Sequence, residues 1–387
     1  MEFFGLMGGA AGSLLGYLIP FLIVLTVVVF IHELGHFLVG RWCGVGVNAF
    51  SIGFGPEIVG FTDKHGTRWK LSAVPLGGYV KFAGDSNGAS VPDPETLSQM
   101  SAAERAVSFH HKSVWRRAAI VAAGPIANFL LAIAIFAGIV YVSGRHILAP
   151  RVEAIQAGSA AERAGFQPGD LVVSINGRTI SSFTEMQRIV SASADDTLSV
   201  VIDRNGRQVT LTAVPDLKEQ ETPFGKQRIG LLGLQASRAP EDLAHVRYGI
   251  LESVKLGAVE TWYVIDRTFT YIGRLVMGRE SADQLSGPIR IAQVSGQVAN
   301  LGGTSGLVSL VAVLSVSIGL INLFPIPLLD GGHLLFYAIE ALRGRPLSDR
   351  AQEIGFRIGL AIVVMLMLFA TWNDLVHLGA SFAARGT

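Results

Sequence analysis

Cysteine and charge are both scarce in this chain. Of its 387 residues one is cysteine, and only 16% are charged. A single Cys43 excludes an intramolecular disulfide and any zinc site built from several thiolates. The formal net charge of +1 provides no broad basic surface. Nucleic acid is therefore not an expected partner.

Apolar sequence, in contrast, is abundant. Half of the residues are hydrophobic and the mean hydropathy is +0.45, values typical of an integral membrane protein. Four segments are long and apolar enough to predict membrane-spanning helices: residues 14–39, 118–143, 301–329 and 354–372. Pro325 and Pro327 break the third segment near its end. The first has no preceding Lys or Arg and ends in His-Glu. We expect it to be a retained span and not a cleaved signal peptide.

His32, Glu33 and His36 lie at the end of the first predicted span, in the sequence HELGH. Histidines four residues apart share one face of a helix, where both rings can bind the same Zn²⁺. The glutamate can act as a general base towards a water that the cation activates. Residues 10–31 carry no charge, and ionisable residues at such a depth are costly and usually functional. The placement predicts a hydrolase that works inside a membrane.

A catalytic zinc needs a third protein ligand and an open fourth position. The end of the third predicted span offers two candidates, Asp330 and His333, in the sequence NLFPIPLLDGGH. Asp330 is the only carboxylate in these apolar surroundings, and a bound cation would remove the cost of leaving it unpaired. We favour Asp330, and His333 remains the alternative.

Basic residues in short loops predict the orientation. Lys112, Arg116 and Arg117 flank the loop between spans one and two, and Arg343 and Arg345 follow span three. The positive-inside rule places both loops in the cytosol and the long segment between spans two and three on the opposite side. The HELGH sequence then lies toward the cytosolic side.

The loop between spans one and two contains a segment of alternating polarity, TRWKLSAVPLGGYVKF at residues 67–82. It predicts a β-hairpin or two short strands, with Gly77-Gly78 interrupting its second half. Two interpretations remain open. One is a surface hairpin, and the other is a membrane-associated β-hairpin whose edge receives an extended substrate.

Residues 144–236 are more polar and predict a compact α/β domain. Ser159 and Gly165 mark the two ends of a short helix, and Asn176-Gly177 predicts a tight turn. Further predicted elements are a helix over 183–192 and strands over 171–175, 198–203 and 208–213. The sequences GSAA, AGFQPGD and ING, at 158–161, 164–170 and 175–177, resemble those of a PDZ domain.

The PDZ resemblance implies a peptide-binding loop at the late strand, formed by Gly230, Leu231, Leu232 and Gly233. The alternative is a domain that packs without binding a peptide. Residues 237–300 follow as a linker region, with a helical pattern over 241–271. That pattern predicts an amphipathic helix at the membrane interface, or one that packs on the PDZ-like domain.

Three sequences together resemble the site-2 protease family of intramembrane zinc metalloproteases: HELGH, AGPIANF at 123–129 and NLFPIPLLDGGH at 322–333. The resemblance covers essentially the whole chain. It implies one Zn²⁺ per chain held by His32, His36 and Asp330, with Glu33 as the catalytic base and Asn322 binding substrate. The best-known members carry two tandem PDZ domains, whereas this chain has room for one.

The predicted fold is a polytopic α-helical membrane protein with about four transmembrane helices, an inserted mixed α/β PDZ-like domain and a membrane-associated β-hairpin. Residues 1–143 and 301–387 would form the two halves of the membrane protease core. The PDZ-like domain would occupy residues 144–236, and the amphipathic linker residues 237–300.

The resemblance also implies a role in the lipid bilayer of the bacterial inner membrane, with the PDZ-like domain in the periplasm. The substrate would be a single-span membrane protein, such as an anti-sigma factor, already trimmed by a site-1-type protease. Two other classes remain. A membrane-anchored PDZ scaffold or chaperone would need a structural zinc site with four protein ligands. A zinc transporter would place its site between internal repeats, and the sequence shows no such repeat.

Overall fold

A computed structural model describes residues 2–88, 94–222, 225–282 and 285–385. By its internal contacts the chain divides into two compact units. The first unit combines residues 1–137, 254–270 and 286–387, and the second combines residues 138–253 and 271–285.

Ten helices occur in the described residues. In chain order they are α1 Glu2–Trp42, α2 Pro94–Gln99, α3 Ala102–Val107, α4 Val114–Ser143, α5 Ala160–Ala164, α6 Phe183–Ala192, α7 Ile250–Val276, α8 Pro288–Asn322, α9 Asp330–Arg343 and α10 Asp349–Arg385.

The strands among the same residues are β1 Val47–Thr62, β2 Arg68–Phe82, β3 Arg145–Leu148, β4 Val152–Ile155, β5 Leu171–Ile175, β6 Arg178–Thr179, β7 Leu198–Arg204, β8 Arg207–Ala213, β9 Asp216–Thr222, β10 Gly225–Leu231, β11 Leu234–Ala236 and β12 Leu243–Val246.

Four of the described helices are long and apolar enough to cross a bilayer: Leu15–Trp42 of α1, Val114–Ser143 of α4, Pro288–Asn322 of α8 and Arg350–Gly379 of α10. They are compatible with the four predicted spans, and membrane insertion itself remains a prediction.

The predicted break near the end of the third span is confirmed, and its helix begins earlier than predicted. Helix α8 spans Pro288–Asn322 with a kink at Gly303, whose φ of +55° is not helical, and residues 323–329 are not helical. Pro325 and Pro327 have no N–H to donate and their rings crowd the preceding turn, so together they disfavour a helix here. This break separates α8 from α9, which places Asp330 in the first turn of a new helix.

Glycine allows α1 and α4 to approach closely. A Cβ added to Gly35 would lie 2.3 Å from the carbonyl oxygen of Ala123. Any larger residue would push the two helices apart. The contact brings the backbone of α4 onto the face of α1 that carries His32 and His36.

The strands β1 and β2 form an antiparallel hairpin that turns at residues 63–67, where Asp63 Oδ1 accepts the N–H groups of His65 and Thr67. The segment 67–82 therefore contributes one strand. The prediction that it holds both strands was wrong, because its partner is the preceding segment 47–62. Association of the hairpin with a membrane remains a prediction.

The hairpin is bent so that it forms a small sheet by itself. Residues 50–52 pair with residues 78–80 and also with residues 69–71. Gly53 and Gly77 have φ values of +87° and +128°, which favour glycine, and they allow both strands to bend. The bend leaves residues 78–82 at an outer edge of the sheet.

The second unit contains a four-stranded sheet in the order β6-β5-β7-β8 and three described two-stranded ribbons, β9–β10, β4–β11 and β3–β12. The Ser159 hydroxyl accepts the N–H of Glu162 at the start of α5, and Gly165 ends that helix with φ +84°. Asn176 and Gly177 form the predicted turn with φ +49° and +77°. The predicted helix over 183–192 and the three predicted strands are also confirmed.

The helical pattern over 241–271 is confirmed only in its later part. Residues 243–246 form β12, which pairs with β3, and α7 begins at Ile250. Pairing with β3 satisfies backbone N–H and C=O groups of both strands. The two strands are distant in sequence, so a helical pattern of apolar residues within 241–271 does not predict this pairing. The functional division of the chain into domains remains a prediction.

Candidate metal centre and active site

Three side chains from two helices of the first unit, α1 and α9, lie close together. His32 and His36 project from α1, and Asp330 projects from the first turn of α9. Asp330 Oδ2 lies 3.1 Å from His32 Nε2 and 3.5 Å from His36 Nε2. The two Nε2 atoms are 3.2 Å apart. Both histidines are buried, with exposed fractions of 8% and 9%.

These three atoms fit the edges of a zinc coordination tetrahedron. Zn–N and Zn–O distances of about 2.0–2.1 Å give neighbouring ligand atoms a separation of roughly 3.3–3.4 Å. The Nδ1–H of His36 donates to the carbonyl oxygen of Ile120 at 2.9 Å, which leaves its Nε2 as a lone-pair atom. Asp330 Oδ2 is buried without a hydrogen-bond partner among the described residues. A cation between the three atoms would satisfy them all.

Gly124 of α4 leaves the space in which the ligands meet. A Cβ at this position would lie 2.3 Å from His36 Nε2 and 2.8 Å from His32 Nε2. No L-residue with a side chain can occupy such a position unless the imidazoles move away. The backbone of α4 therefore forms one wall of the metal centre.

The loop between α8 and α9 positions Asp330. A Cβ on Gly331 would lie 2.3 Å from the carbonyl oxygens of Leu323 and Phe324. Leu328 has φ +89°, an uncommon conformation for a non-glycine residue that often marks a functional site. The two glycines after Asp330 thus allow the irregular loop to fold back against the start of α9.

A cavity of about 720 Å³ surrounds the three side chains. Glu33, Asn322 and His333 all line it. Glu33 lies beside the edge segment 78–82 of the hairpin, because a Cβ on Gly78 would come within 3.1 Å of Glu33 Cγ. Asn322 donates from Nδ2 to the carbonyl oxygen of Ile318 at 3.1 Å. The predicted base and the predicted substrate-binding residue therefore face the same space.

The structure favours Asp330 over His333 as the neighbour of the two histidines. Ligand atoms of His32, His36 and Asp330 all lie within 4.8 Å of one another, and His333 is not part of that group. Their roles as ligands, and that of Glu33 as base, remain predictions.

The predicted peptide-binding loop lies in the second unit. Leu232 belongs to the core of that unit, with 3% of its side chain exposed. Gly230 packs so closely on α6 that a Cβ would lie 2.3 Å from the carbonyl oxygen of Val190, and Gly233 has φ +80°. Leu231 is the last residue of β10 and is exposed. Peptide binding by these four residues remains a prediction.

Sequence reasoning missed the residues of α4 that surround the histidines. Ile120, Gly124 and Asn128 are spaced by four residues and so share one face of the helix, and all three contact His32 or His36. The sequence AGPIANF contributed to the family resemblance, but no individual role at the metal centre was predicted for Gly124 or Asn128. Its four-residue spacing was the signal that could have identified this face.

Two imidazoles one helical turn apart, an aspartate from a distant helix and a glutamate beside them are the groups that a zinc metalloprotease site requires. Residues 20–366 match the model of peptidase family M50. The chain belongs to this family, that of the site-2 proteases, and is a zinc metalloprotease.

Relatives of similar length support the same assignment. A protein of Agrobacterium fabrum named "Putative zinc metalloprotease" is 53% identical over 95% of this chain and 98% of its own. A Brucella suis protein with the same name is 49% identical over 97% of this chain and 99% of its own. Metalloprotease MmpA of Caulobacter vibrioides is 43% identical over 92% of this chain and 95% of its own.

Solved structures with local similarity are PDZ domains. That of an SdrC-like protein from Listeria monocytogenes is 15% identical and covers 22% of this chain and 84% of its own, with a TM-score of 0.18. One from Listeria innocua is 17% identical over 26% of this chain and 99% of its own, with a TM-score of 0.19.

Proposed function

We propose that this metalloprotease cleaves single-span membrane proteins within or beside their transmembrane segment. The observation that carries the proposal is the position of the metal centre on an apolar helix. His32, Glu33 and His36 lie in the 28-residue segment Leu15–Trp42, which contains an 18-residue window with a mean hydropathy of 2.4. A protease for soluble substrates has no need to place its histidines in such a segment.

The residues present suit peptide hydrolysis. His32, His36 and Asp330 would hold the zinc, which polarises the scissile carbonyl and lowers the pKa of water when bound. Glu33 would take the proton of the attacking water and return it to the leaving amine. Glu33 lines the same cavity as the three proposed ligands.

A transmembrane helix must unwind before cleavage, because its carbonyl groups are held in internal hydrogen bonds. The edge segment 78–82 offers an unwound stretch a strand to pair with, beside Glu33 and in the wall of the same cavity. Asn322, the last residue of α8, lines the same cavity and would add a second contact to the substrate. Ile58, Val59 and Phe61 of the hairpin are more than 60% exposed, which suits a hairpin that associates with lipid.

The proposal includes a place in regulated proteolysis. The family resemblance suggests the bacterial inner membrane. The basic loops favour an orientation with the active site toward the cytosol and the PDZ-like domain on the opposite side, the periplasm. An anti-sigma factor already trimmed by a site-1-type protease is the substrate proposed. The PDZ-like domain would bind the new C-terminus or exclude untrimmed proteins by size.

The test is co-expression of a tagged single-span anti-sigma factor with wild type or Glu33→Gln. Glu153→Gln, an exposed glutamate of the second unit, is the matched control. We expect wild type and the control to cleave the substrate, and Glu33→Gln to bind zinc equally but leave the substrate intact. Equal cleavage by Glu33→Gln would refute the mechanism. A soluble substrate cut as readily as the membrane-bound one would refute the substrate class.

A further inference from the structure

Asn128 is the polar side chain of α4 that faces the metal centre. It is fully buried, and its Nδ2 lies 3.2 Å from His32 Nδ1. Its other amide atom, Oδ1, is buried without a hydrogen-bond partner among the described residues. A buried amide oxygen without a donor is rare and costly, so this side chain needs an explanation.

The chemistry of His32 supplies one. Its Nε2 faces Asp330 and His36, so Nε2 must carry the lone pair if the ring is to bind zinc. The proton then lies on Nδ1, which needs an acceptor. A half-turn of the Asn128 amide exchanges its nitrogen and oxygen. In that orientation Nδ1–H donates to Oδ1, and Nδ2 takes the position at which no described residue offers a partner. The half-turn is therefore favoured by the proton on His32 Nδ1, which the unflipped amide cannot accept.

We propose that Asn128 is a positioning residue for His32, whose Nδ1 proton its side-chain carbonyl accepts, which aims the Nε2 lone pair at the zinc. The inference rests on the ligand roles proposed above for His32 and His36. Ile120 does the same for His36 through its backbone carbonyl. Helix α4 thereby orients both imidazoles, from positions one helical turn on either side of Gly124.

Helix α8 holds Asn128 in place. The buried hydroxyl of Ser315 donates to the backbone carbonyl oxygen of Asn128 at 2.8 Å, which fixes the main chain from which the amide projects. A Cβ on Gly319 would lie 3.1 Å from the Asn128 Cβ, so α8 passes directly against this residue. A side chain fixed by two helices suits a group that must hold one orientation of an imidazole.

The proposal predicts opposite results for two substitutions. In Asn128→Asp both terminal atoms are oxygens, and the ionised carboxylate can accept the Nδ1 proton but cannot donate. Asn128→Ala offers no acceptor and introduces no clash. Zinc affinity of the purified full-length protein would be measured by competition with a chelator. We expect Asn128→Ala to bind zinc about 10–100-fold more weakly and Asn128→Asp to stay within a few-fold of wild type.

Helical content and unfolding temperature, measured on the metal-free proteins, separate positioning from folding. The proposal requires the zinc affinities of the two variants to differ while both stay folded. It is overturned if Asn128→Ala binds zinc like wild type, or if Asn128→Asp loses as much affinity as Asn128→Ala. His36→Ala tests the ligand roles alone. Unchanged zinc affinity in that variant would refute the ligand assignment, and with it the proposed function, independently of Asn128.

Discussion

Replacing Gly124 with alanine should abolish zinc binding although it adds a single methyl group. The added Cβ would lie 2.3 Å from His36 Nε2, 2.5 Å from His36 Cε1 and 2.8 Å from His32 Nε2. Non-bonded carbon atoms lie at least about 3.5 Å apart, so the His36 ring must move away by roughly 1 Å. Zinc sites tolerate ligand displacements of only about 0.2 Å. We therefore expect zinc affinity to fall by at least about 100-fold.

The assay is zinc content of the purified protein after dialysis against a weak chelator, with proteolysis of a membrane substrate as a second readout. Gly138→Ala is the matched control, because Gly138 lies on the same helix and its Cβ would meet nothing within 4 Å. Both variants share the helix-stabilising effect of alanine, about 0.5–1 kcal/mol. The reasoning is refuted if Gly124→Ala retains zinc as well as Gly138→Ala does.

Two further predictions concern the packing around the site and the second unit. Arg117 and Glu340 form an ion pair between α4 and α9 with side chains only 13% and 16% exposed, so Arg117→Met alone should destabilise the protein by about 3 kcal/mol. The double variant Arg117→Met/Glu340→Leu should recover most of that loss in thermal unfolding, and an equal loss in both would contradict a buried pair. Hydrogen bonds from Ser237 and then Arg151 hold the pKa of Asp242 below its ordinary value. The stabilisation of the folded protein by these hydrogen bonds should be complete above about pH 4. It should disappear as the pH falls through the lowered pKa that Asp242 has in the folded state. Cleavage of residues 237–249 by pepsin should therefore be faster in Asp242→Asn than in wild type at pH 4–5, with the difference vanishing at lower pH.

The metal centre shows which parts of a site a sequence reveals. His32, Glu33 and His36 are predictable because a helix brings residues four apart onto one face. Asp330 was predictable because a carboxylate in apolar sequence needs a partner. Gly124 and Asn128 were not identified, since their roles depend on which face of α4 meets α1. That face is set by the close approach at Gly35, a tertiary contact.

The hairpin and the third span differ in what their local sequence encodes. Alternation at residues 67–82 identified a strand but not its partner, because pairing with residues 47–62 is not a local property. The break near the end of the third span was predictable from Pro325 and Pro327. The missing N–H groups of these prolines, and not their polarity, end the helix. Elements of the second unit were easier, because Ser159, Gly165 and the Asn176-Gly177 turn mark their ends in the sequence.

X-ray absorption at the zinc edge of the purified protein tests the central claim most directly. If His32, His36 and Asp330 hold one zinc, the spectrum contains two imidazole nitrogens and oxygen ligands at about 2.0–2.2 Å, with no sulfur. Asp330→Ala should remove one oxygen scatterer or the metal itself, and His333→Ala should leave both imidazoles in place. Three imidazoles in wild type, with one lost in His333→Ala, would contradict the account.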